Sequence, residues 1–218
     1  MLVHLLEAGR TTDEGTWMML STEVRNRTIR SVELVCPRCG LDRHGTESVP
    51  VRWGCVFGLP VVRLGELEPA VTCDGCGRTS DRSVLDVPTT AQLASILRDA
   101  TLAAFVRAAR AAAAEDLDVI VDAAMKALAD DGYTADIAEF ETELSDLSDA
   151  DADARLRRVG RELTAYGKQG FLHRVTAVTS ATEPITREQR DTLTRIGCRL
   201  GMAPPHINGI LAVAAAAA

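Results

Sequence analysis

The sequence predicts an α+β protein in which the two kinds of structure occupy separate domains, a small antiparallel β-sheet followed by an all-α helical bundle. Three observations predict this order. Short runs rich in Val and other β-formers, broken by Gly and Pro, fill residues 20–87. Alanine, which has the best helix propensity, dominates residues 88–218. The change falls at Pro88, so we predict domains at 20–87 and 88–218, with residues 1–19 as a tail or an over-extended start.

Four strands are expected in the first domain. Ile29–Val35 mixes β-branched and polar residues, Val49–Val62 is rich in Val and aromatic residues, and Ala70–Thr72 and Ser83–Leu85 are shorter. The Gly and Pro residues between and within these runs favour turns, as in a small antiparallel sheet. The first and third strands each lead directly into a cysteine.

Capping signals divide the second domain into six or seven helices. Thr89 and Gln92 have the spacing of a capping box, in which two side chains satisfy the first free backbone N–H groups of a helix. Thr186 and Gln189 repeat this spacing. Gly132 is a suitable helix stop, because glycine accepts the left-handed conformation.

The other helix boundaries follow from acidic, glycine and proline residues. The acidic run 148–153 favours a helix N-terminus, where negative charge is stabilised. We expect this helix to break near Gly167 or Gly170. The predicted helices run from Thr89 to about Ala113, Leu117 to Asp131, Thr134 to about Leu147, Ser148 to about Ser180 with that break, Thr186 to Gly201, and Pro204 into the terminal alanines.

The charge balance disfavours broad electrostatic binding to nucleic acid. The formal net charge is −7, with 24 Lys and Arg against 31 Asp and Glu, whereas such binding depends on clustered basic residues. The N-terminus lacks the basic and apolar regions of a signal peptide, and no uncharged apolar run reaches the roughly 18 residues that span a membrane. We therefore expect a cytoplasmic protein without membrane association.

Two matching C-x-x-C-G sequences predict a metal site. They comprise Cys36, Cys39 and Gly40, and Cys73, Cys76 and Gly77. Each C-x-x-C turn brings two sulfurs to one ion, and zinc prefers tetrahedral thiolate ligands. A redox dithiol would instead sit at a helix start in a βαβ unit, and two matching pairs are hard to explain as unrelated buried cysteines. We predict one Zn²⁺ bound by these four cysteines, with one or two β-hairpins in the 33-residue gap between the pairs.

Four cysteine ligands leave no coordination position for water, so the predicted zinc is structural rather than catalytic. The small sheet has too little apolar content to fold alone, and we expect it to unfold without metal. No nucleophile motif, H-E-x-x-H sequence, phosphate loop or kinase signature is present, so no enzyme is predicted. Cys55 and Cys198 are expected in the core, and His44, although near the first pair, is not needed as a ligand.

Residues 20–86 resemble a bacterial zinc-ribbon family in which two CPxCG-type turns flank a hairpin. That hairpin carries an aromatic and apolar run ending near a proline, to which the stretch from Trp53 to Pro60 corresponds, followed by Leu64 and Gly65. The resemblance implies a small zinc-binding sheet over most of the first domain.

Residues 90–214 resemble the TerB-like tellurite-resistance family, a helical fold of two similar halves. The family pattern of an apolar residue, a capping residue, an acidic pair and a helix ending in Leu-Gly is matched by Ile185, Thr186, Glu188, Leu200 and Gly201. The family's Asp-Gly-Glu turn is replaced here by Thr182-Glu-Pro184, and the corresponding turn near Glu115 also departs from the pattern.

The same resemblance implies a divalent-metal site built from acidic residues of the two turns. Carboxylates suit hard ions such as Ca²⁺, Mg²⁺ or Mn²⁺. The carboxylates available here are Glu115, Asp116, Asp122, Glu183 and Glu188, although not at the family's positions. The alternative is that they are solvated helix caps and surface charges.

We therefore expect a non-enzymatic adaptor, linked to metal or stress response, whose helical domain binds a protein partner. The alternative is a nucleic-acid-binding zinc ribbon with a face of arginines, namely Arg25, Arg27, Arg30, Arg38, Arg43 and Arg52. Trp53 and Phe57 could stack on bases, although both are expected in the core. A metal-dependent enzyme using the helical carboxylates is a third alternative and requires a second bound metal. The sequence favours no particular oligomeric state.

Overall fold

The computed structural model describes residues 20–133, 136–182 and 184–217. The chain divides between Thr89 and Thr90 into two compact units. The first contains an antiparallel sheet, and the described part of the second contains seven α-helices. The predicted class, a β part followed by an all-α part, is confirmed. The predicted tail at 1–19 lies outside the described residues.

One antiparallel sheet with its second strand at the centre forms the first unit. Its strands are β1 (Leu20–Cys36), β2 (Leu41–Val56), β3 (Leu59–Glu66), β4 (Ala70–Cys73) and β5 (Thr79–Asp81). β1 pairs with one edge of β2, while β3 and β4 pair with successive parts of the other edge. β5 pairs with β4. Because β1 and β4 both end beside the start of β2, their terminal residues Cys36 and Cys73 come to the same end of the sheet.

The predicted strand Val49–Val62 is wrong in one respect, because it contains the end of β2, a turn and the start of β3. The turn residues Phe57 and Gly58 have φ values of 52° and 78°. Positive φ at both central residues is typical of a type I′ turn, whose twist suits a hairpin. Phe57 is 66% exposed, so its expected core position is also wrong. Trp53 is partly buried.

The predicted strand Ser83–Leu85 is wrong, because these residues belong to a 3₁₀-helix, Arg82–Asp86. The carboxylate of Asp81 accepts a hydrogen bond from the backbone N–H of Ser83 at 2.8 Å. Such a local side-chain cap offers the backbone an alternative to strand pairing.

The hydrophobic core of the first unit is small and includes two cysteines. Leu34, Val71 and Val84 are buried together with Cys36 and Cys73. A core of this size supplies little apolar burial for a whole sheet. The cysteines are therefore part of what holds this unit together.

The second unit is a helical bundle around its first helix. The helices are α1 (Thr90–Arg110), α2 (Leu117–Asp130), α3 (Ile137–Asp146), α4 (Asp149–Glu162), α5 (Ala165–Thr179), α6 (Arg187–Arg199) and α7 (Pro204–Ala217). α1 contacts each helix from α2 to α6. Every residue from Ala100 to Val106 is buried, as expected for a helix that is apolar on all sides.

Several predicted helix ends are confirmed. Thr186 and Gln189 form a reciprocal capping box at α6. The Ser148 hydroxyl accepts from the backbone N–H of Asp151 at the start of α4. Gly132, with φ of 77°, follows α2. The predicted start of the third helix, Thr134, lies outside the described residues.

The predicted break near Gly167 or Gly170 occurs, but it lies earlier in the chain than either glycine. The chain breaks instead at Leu163 and Thr164, and both glycines lie inside α5. The Thr164 hydroxyl accepts from the backbone N–H of Gly167 and caps the new helix. A threonine cap therefore decides the boundary, and the low propensity of two glycines, about 1 kcal/mol each, does not end the helix.

Among the described residues, no helix combines the length and the apolar content that crossing a lipid bilayer requires.

Candidate metal centre

The two C-x-x-C turns have matching backbone geometry. The backbone N–H of Gly40 donates to the carbonyl of Cys36, and that of Gly77 to the carbonyl of Cys73, both at 2.8 Å. Gly40 and Gly77 have φ values of 67° and 68°, in the left-handed region that favours glycine. A Cβ at either glycine would meet no atom within 4 Å. The backbone angle, rather than lack of space, therefore requires glycine after each pair.

The turns bring together the four cysteines that the sequence predicts as ligands. The Sγ atoms of Cys36, Cys39, Cys73 and Cys76 all lie within 4.8 Å of one another. Those of Cys36 and Cys76 are 3.6 Å apart, far beyond the roughly 2.05 Å of a disulfide bond. Four sulfurs held about 2.3 Å from a central zinc ion would be about 3.8 Å apart. The cluster therefore has the dimensions of a tetrahedral thiolate site.

The acidities of the two cysteines in the first turn differ. A hydrogen bond from the backbone N–H of Cys39 lowers the pKa of Cys36 to about 6. Hydrogen bonds with the Cys76 and Cys36 side chains raise the pKa of Cys39 to about 11. Thiolates this close repel one another, so a bound cation is needed for all four to ionise together.

The first cysteine of each pair is anchored and the second is nearer the surface. Cys36 and Cys73 are each 1% exposed, at the ends of β1 and β4. Cys39 and Cys76 are partly exposed. A metal ion bound here would thus link the buried core of the sheet to its outer turns.

Gly45 is a residue of the site that the sequence analysis did not identify. It lies opposite Cys73 in the β2–β4 pairing. A Cβ at this position would lie 2.6 Å from Cδ2 of Leu34 and 2.8 Å from the carbonyl oxygen of Thr72. Its missing side chain therefore lets β4 approach β2. An isolated glycine in a strand is the sequence signal for such an approach.

Glu47 is a second residue that the sequence analysis did not identify. It is 2% exposed, and its carboxylate accepts from Arg30 at 2.7 Å and from Arg82 at 3.0 Å. The hydrogen bond from Arg30 lowers the pKa of Glu47. The carboxylate ties β1 to the 3₁₀-helix, and nothing in the sequence distinguishes it from the other acidic residues.

Neither of the other two cysteines joins the cluster. Cys55 is 2% exposed, as predicted, and its Sγ lies 3.8 Å from a carboxylate oxygen of Glu23. Cys198 is exposed, so its predicted core position is wrong. Its neighbours Ile196 and Gly197 lie on the buried face of α6. His44 is exposed. Its backbone carbonyl accepts a hydrogen bond from the backbone N–H of Asp74, in the second cysteine turn, at 3.0 Å.

The carboxylates considered for a second metal site are not gathered. Within the described residues, the four cysteines are the only group of three or more potential ligands close enough to share an ion. Glu115 and Asp116 precede α2, Asp122 lies within it, and Glu188 lies in the first turn of α6. Glu183 lies outside the described residues.

Half of the arginines considered for a nucleic-acid surface are engaged in ion pairs. The pairs are Arg25 with Glu23, Arg27 with Glu66, and Arg30 with Glu47. Arg38, Arg43 and Arg52 are exposed and form no ion pair within the part of the chain that the structure describes.

No protein-family model matches this chain, and neither a curated protein nor a solved structure is detectably similar to it. The geometry of the cysteine cluster is therefore the main evidence for function. Four sulfur donors at tetrahedral spacing suit zinc or iron.

Proposed function

We propose that this protein is a non-enzymatic zinc protein whose first unit is a zinc ribbon held by one structural Zn²⁺. The observation that carries the proposal is the group of four Sγ atoms within 4.8 Å, presented by two turns of matching geometry. Four thiolates complete the tetrahedral coordination of zinc and leave no position for water or substrate. Such a site stabilises a fold and does not catalyse a reaction.

The small core supports a structural role for the metal. Two of its five buried residues are the proposed ligands Cys36 and Cys73. Without a cation, this cluster would have to keep four thiols close together, and Leu34, Val71 and Val84 are its other buried members among the described residues. Metal binding then contributes directly to the free energy of folding.

We assign the helical unit an interaction role, in an adaptor of TerB-like type for metal or stress response that acts in the cytoplasm through a protein partner. The support is the sequence resemblance. The capping residue of that pattern, Thr186, caps the N-terminus of α6, and Gly201 follows the end of the helix with φ of 77°. The loss of the family's acidic turn argues for partner binding rather than for catalysis by a second metal.

Native mass spectrometry of the full chain, purified without chelator and combined with elemental analysis, tests the metal assignment. We expect one zinc per chain, and loss of zinc in Cys73→Ser. The matched control is Cys55→Ser, since Cys55 is equally buried but lies outside the cluster. Iron in place of zinc, or folded protein without metal, would overturn the assignment. If the chain also bound a Ca²⁺, Mg²⁺ or Mn²⁺ ion, metal binding would not be limited to the structural zinc. That result would overturn the assignment of one metal per chain and would favour metal sensing.

A nucleic-acid-binding ribbon is the second candidate, and exposed Arg38 and Arg43 near the cysteine turns favour it. Phosphate contacts would make binding steeply dependent on salt. Filter binding of single- and double-stranded DNA and RNA at low salt tests it, with Arg38→Ala and Arg43→Ala as variants. Binding that weakens in both variants would support this function, and no binding at low salt would exclude it.

A further inference from the structure

A cavity of about 310 Å³ opens between α1, α5 and the C-terminal end of α2. Its walls are four partly buried apolar or aromatic side chains, namely Leu97, Tyr133, Leu163 and Phe171. All of its lining residues belong to the helical unit. Cavities of about this size, with mainly apolar walls and a few polar groups, are typical of small-molecule sites.

The hydroxyl of Thr101 is a polar group of the cavity lining. This residue is 5% exposed and lines the cavity. Buried Thr176 and Thr179 donate to the carbonyls of Leu172 and Val175, four residues earlier in their helix. The Thr101 hydroxyl has no hydrogen-bond partner in the part of the chain that the structure describes. Its oxygen is not one of the buried side-chain atoms that lack a partner among the described residues, so it is accessible from the cavity and can bond with a guest there.

Gly170 lines the same cavity from α5. A Cβ at Gly170 would meet no atom within 4 Å, so contacts within the protein do not require a glycine there. Glycine inside a helix lowers its stability relative to alanine. The missing side chain leaves open volume where a ligand can approach the helix backbone.

The charged residues of the cavity lining favour an uncharged guest. Arg174 and Asp131 line the cavity and form an ion pair with each other, so neither charge is left over for a ligand. The phenol of Tyr133 offers a second hydrogen-bonding group. Burial raises the pKa of Tyr133, which keeps this phenol neutral.

We propose that this cavity binds a small, uncharged and mainly apolar molecule with one hydroxyl group, of the phenol or cyclic-alcohol class, whose hydroxyl pairs with Thr101. Apolar walls supply the affinity, and the unpaired Thr101 hydroxyl selects the polar group. This site lies outside the zinc ribbon, and the inference does not depend on the metal assignment.

Methyl NMR of the full zinc-loaded chain tests the proposal, with p-cresol and toluene as the probes. The two probes differ in the hydroxyl group alone. We expect p-cresol to shift the methyl signals of Val175, which lies in the cavity lining, and to bind more tightly than toluene. Thr101→Val keeps the shape of the side chain and removes its hydroxyl. This variant should weaken p-cresol binding about fivefold, the value of one hydrogen bond, and leave toluene binding unchanged.

Gly170→Leu tests the location, because its side chain would occupy the open volume. Gly209→Leu is the matched control, since Gly209 is also the sixth residue of its helix and a Cβ there meets no atom within 4 Å. We expect p-cresol binding to be lost in the first variant and kept in the second, with both folded by circular dichroism. Binding that persists in Gly170→Leu would overturn the proposed location. If Thr101→Val weakens the binding of p-cresol and toluene equally, the role of the hydroxyl is overturned. If neither probe shifts the Val175 methyl signals, the cavity takes up water only and the proposal is overturned.

Discussion

Replacing Gly45 with alanine tests whether the close approach of two strands sets the geometry of the metal site. The added Cβ would lie 2.8 Å from the carbonyl oxygen of Thr72, whereas comfortable carbon–oxygen contacts are about 3.3 Å or longer. Since the obstacle is backbone, β4 must move away from β2 by about 0.5 Å. Cys73 follows Thr72 directly, so the movement displaces a proposed metal ligand.

The expected cost is that of overpacking a core, about 1–3 kcal/mol. The same Cβ would lie 2.6 Å from Cδ2 of Leu34, a residue that is 1% exposed, so the side chain has little room to yield. If folding of this unit and metal binding are coupled, the cost appears as weaker zinc binding. A loss of 1–3 kcal/mol corresponds to roughly 5- to 150-fold in affinity.

Competition with a chromogenic zinc chelator measures this affinity. Gly75→Ala is the matched control, because it lies in the second cysteine turn and its Cβ would meet no backbone atom. It would lie 3.4 Å from the flexible side chain of Arg43 and 3.8 Å from Sγ of Cys73, both ordinary van der Waals contacts. We expect that control to remain within about 0.5 kcal/mol of the parent. Equal zinc affinities for Gly45→Ala and Gly75→Ala would refute the reasoning.

In the helical unit, Gly160→Ala should lower the free energy of unfolding by about 1–3 kcal/mol, and by more than Gly197→Ala does. A Cβ at Gly160 would lie 2.7 Å from the backbone carbonyl oxygen of Leu200. The nearest atoms to a Cβ at Gly197 are side-chain atoms, which can move more easily. Urea unfolding compares the two, and equal losses would contradict this. In a Tyr166→Phe variant, the phenolate absorbance of Tyr133, then the sole tyrosine, should appear above the ordinary tyrosine pKa of about 10, because burial raises its pKa. The stability linked to this phenol is complete below about pH 10 and is lost as pH rises through the higher folded pKa. The variant unfolded in urea should titrate at about 10. Identical titration curves for the folded and unfolded variant would refute the effect of burial. Removal of zinc with a chelator should abolish the β-sheet circular dichroism and keep the helical signal, because only the first unit contains the cysteine cluster; an unchanged β-sheet signal would show that the sheet folds without metal.

Local signals predicted the parts of this protein that depend on neighbours in sequence. The spacing of the four cysteines and the glycine after each pair specify two identical turns, because a C-x-x-C-G segment fixes its own backbone geometry. The capping box at Thr186 and the helix stop at Gly132 were predicted for the same reason. Thr164 is also a helix-capping residue, but the low helix propensity of Gly167 and Gly170 predicts a later boundary.

Misplaced predictions fall where tertiary contacts compete with local preference. Ser83–Leu85 has strand-forming residues, yet the Asp81 cap and the burial of Val84 place it in a 3₁₀-helix. Phe57 is aromatic, yet it occupies an exposed turn position because the β2–β3 register places the reversal there. Cys198 is exposed because the orientation of α6 is set by its other apolar residues.

The sequence by itself determined that this protein has a β unit and an α unit, and that four particular cysteines are candidate ligands for one metal ion. Both depend on composition and short spacing, which act over a few residues. Only the tertiary structure decided that Gly45 must lack a side chain, that Glu47 joins two arginines from distant segments, and that Thr101 faces a cavity without a partner. These properties arise from distances between segments far apart in the chain, which packing sets and local sequence does not encode.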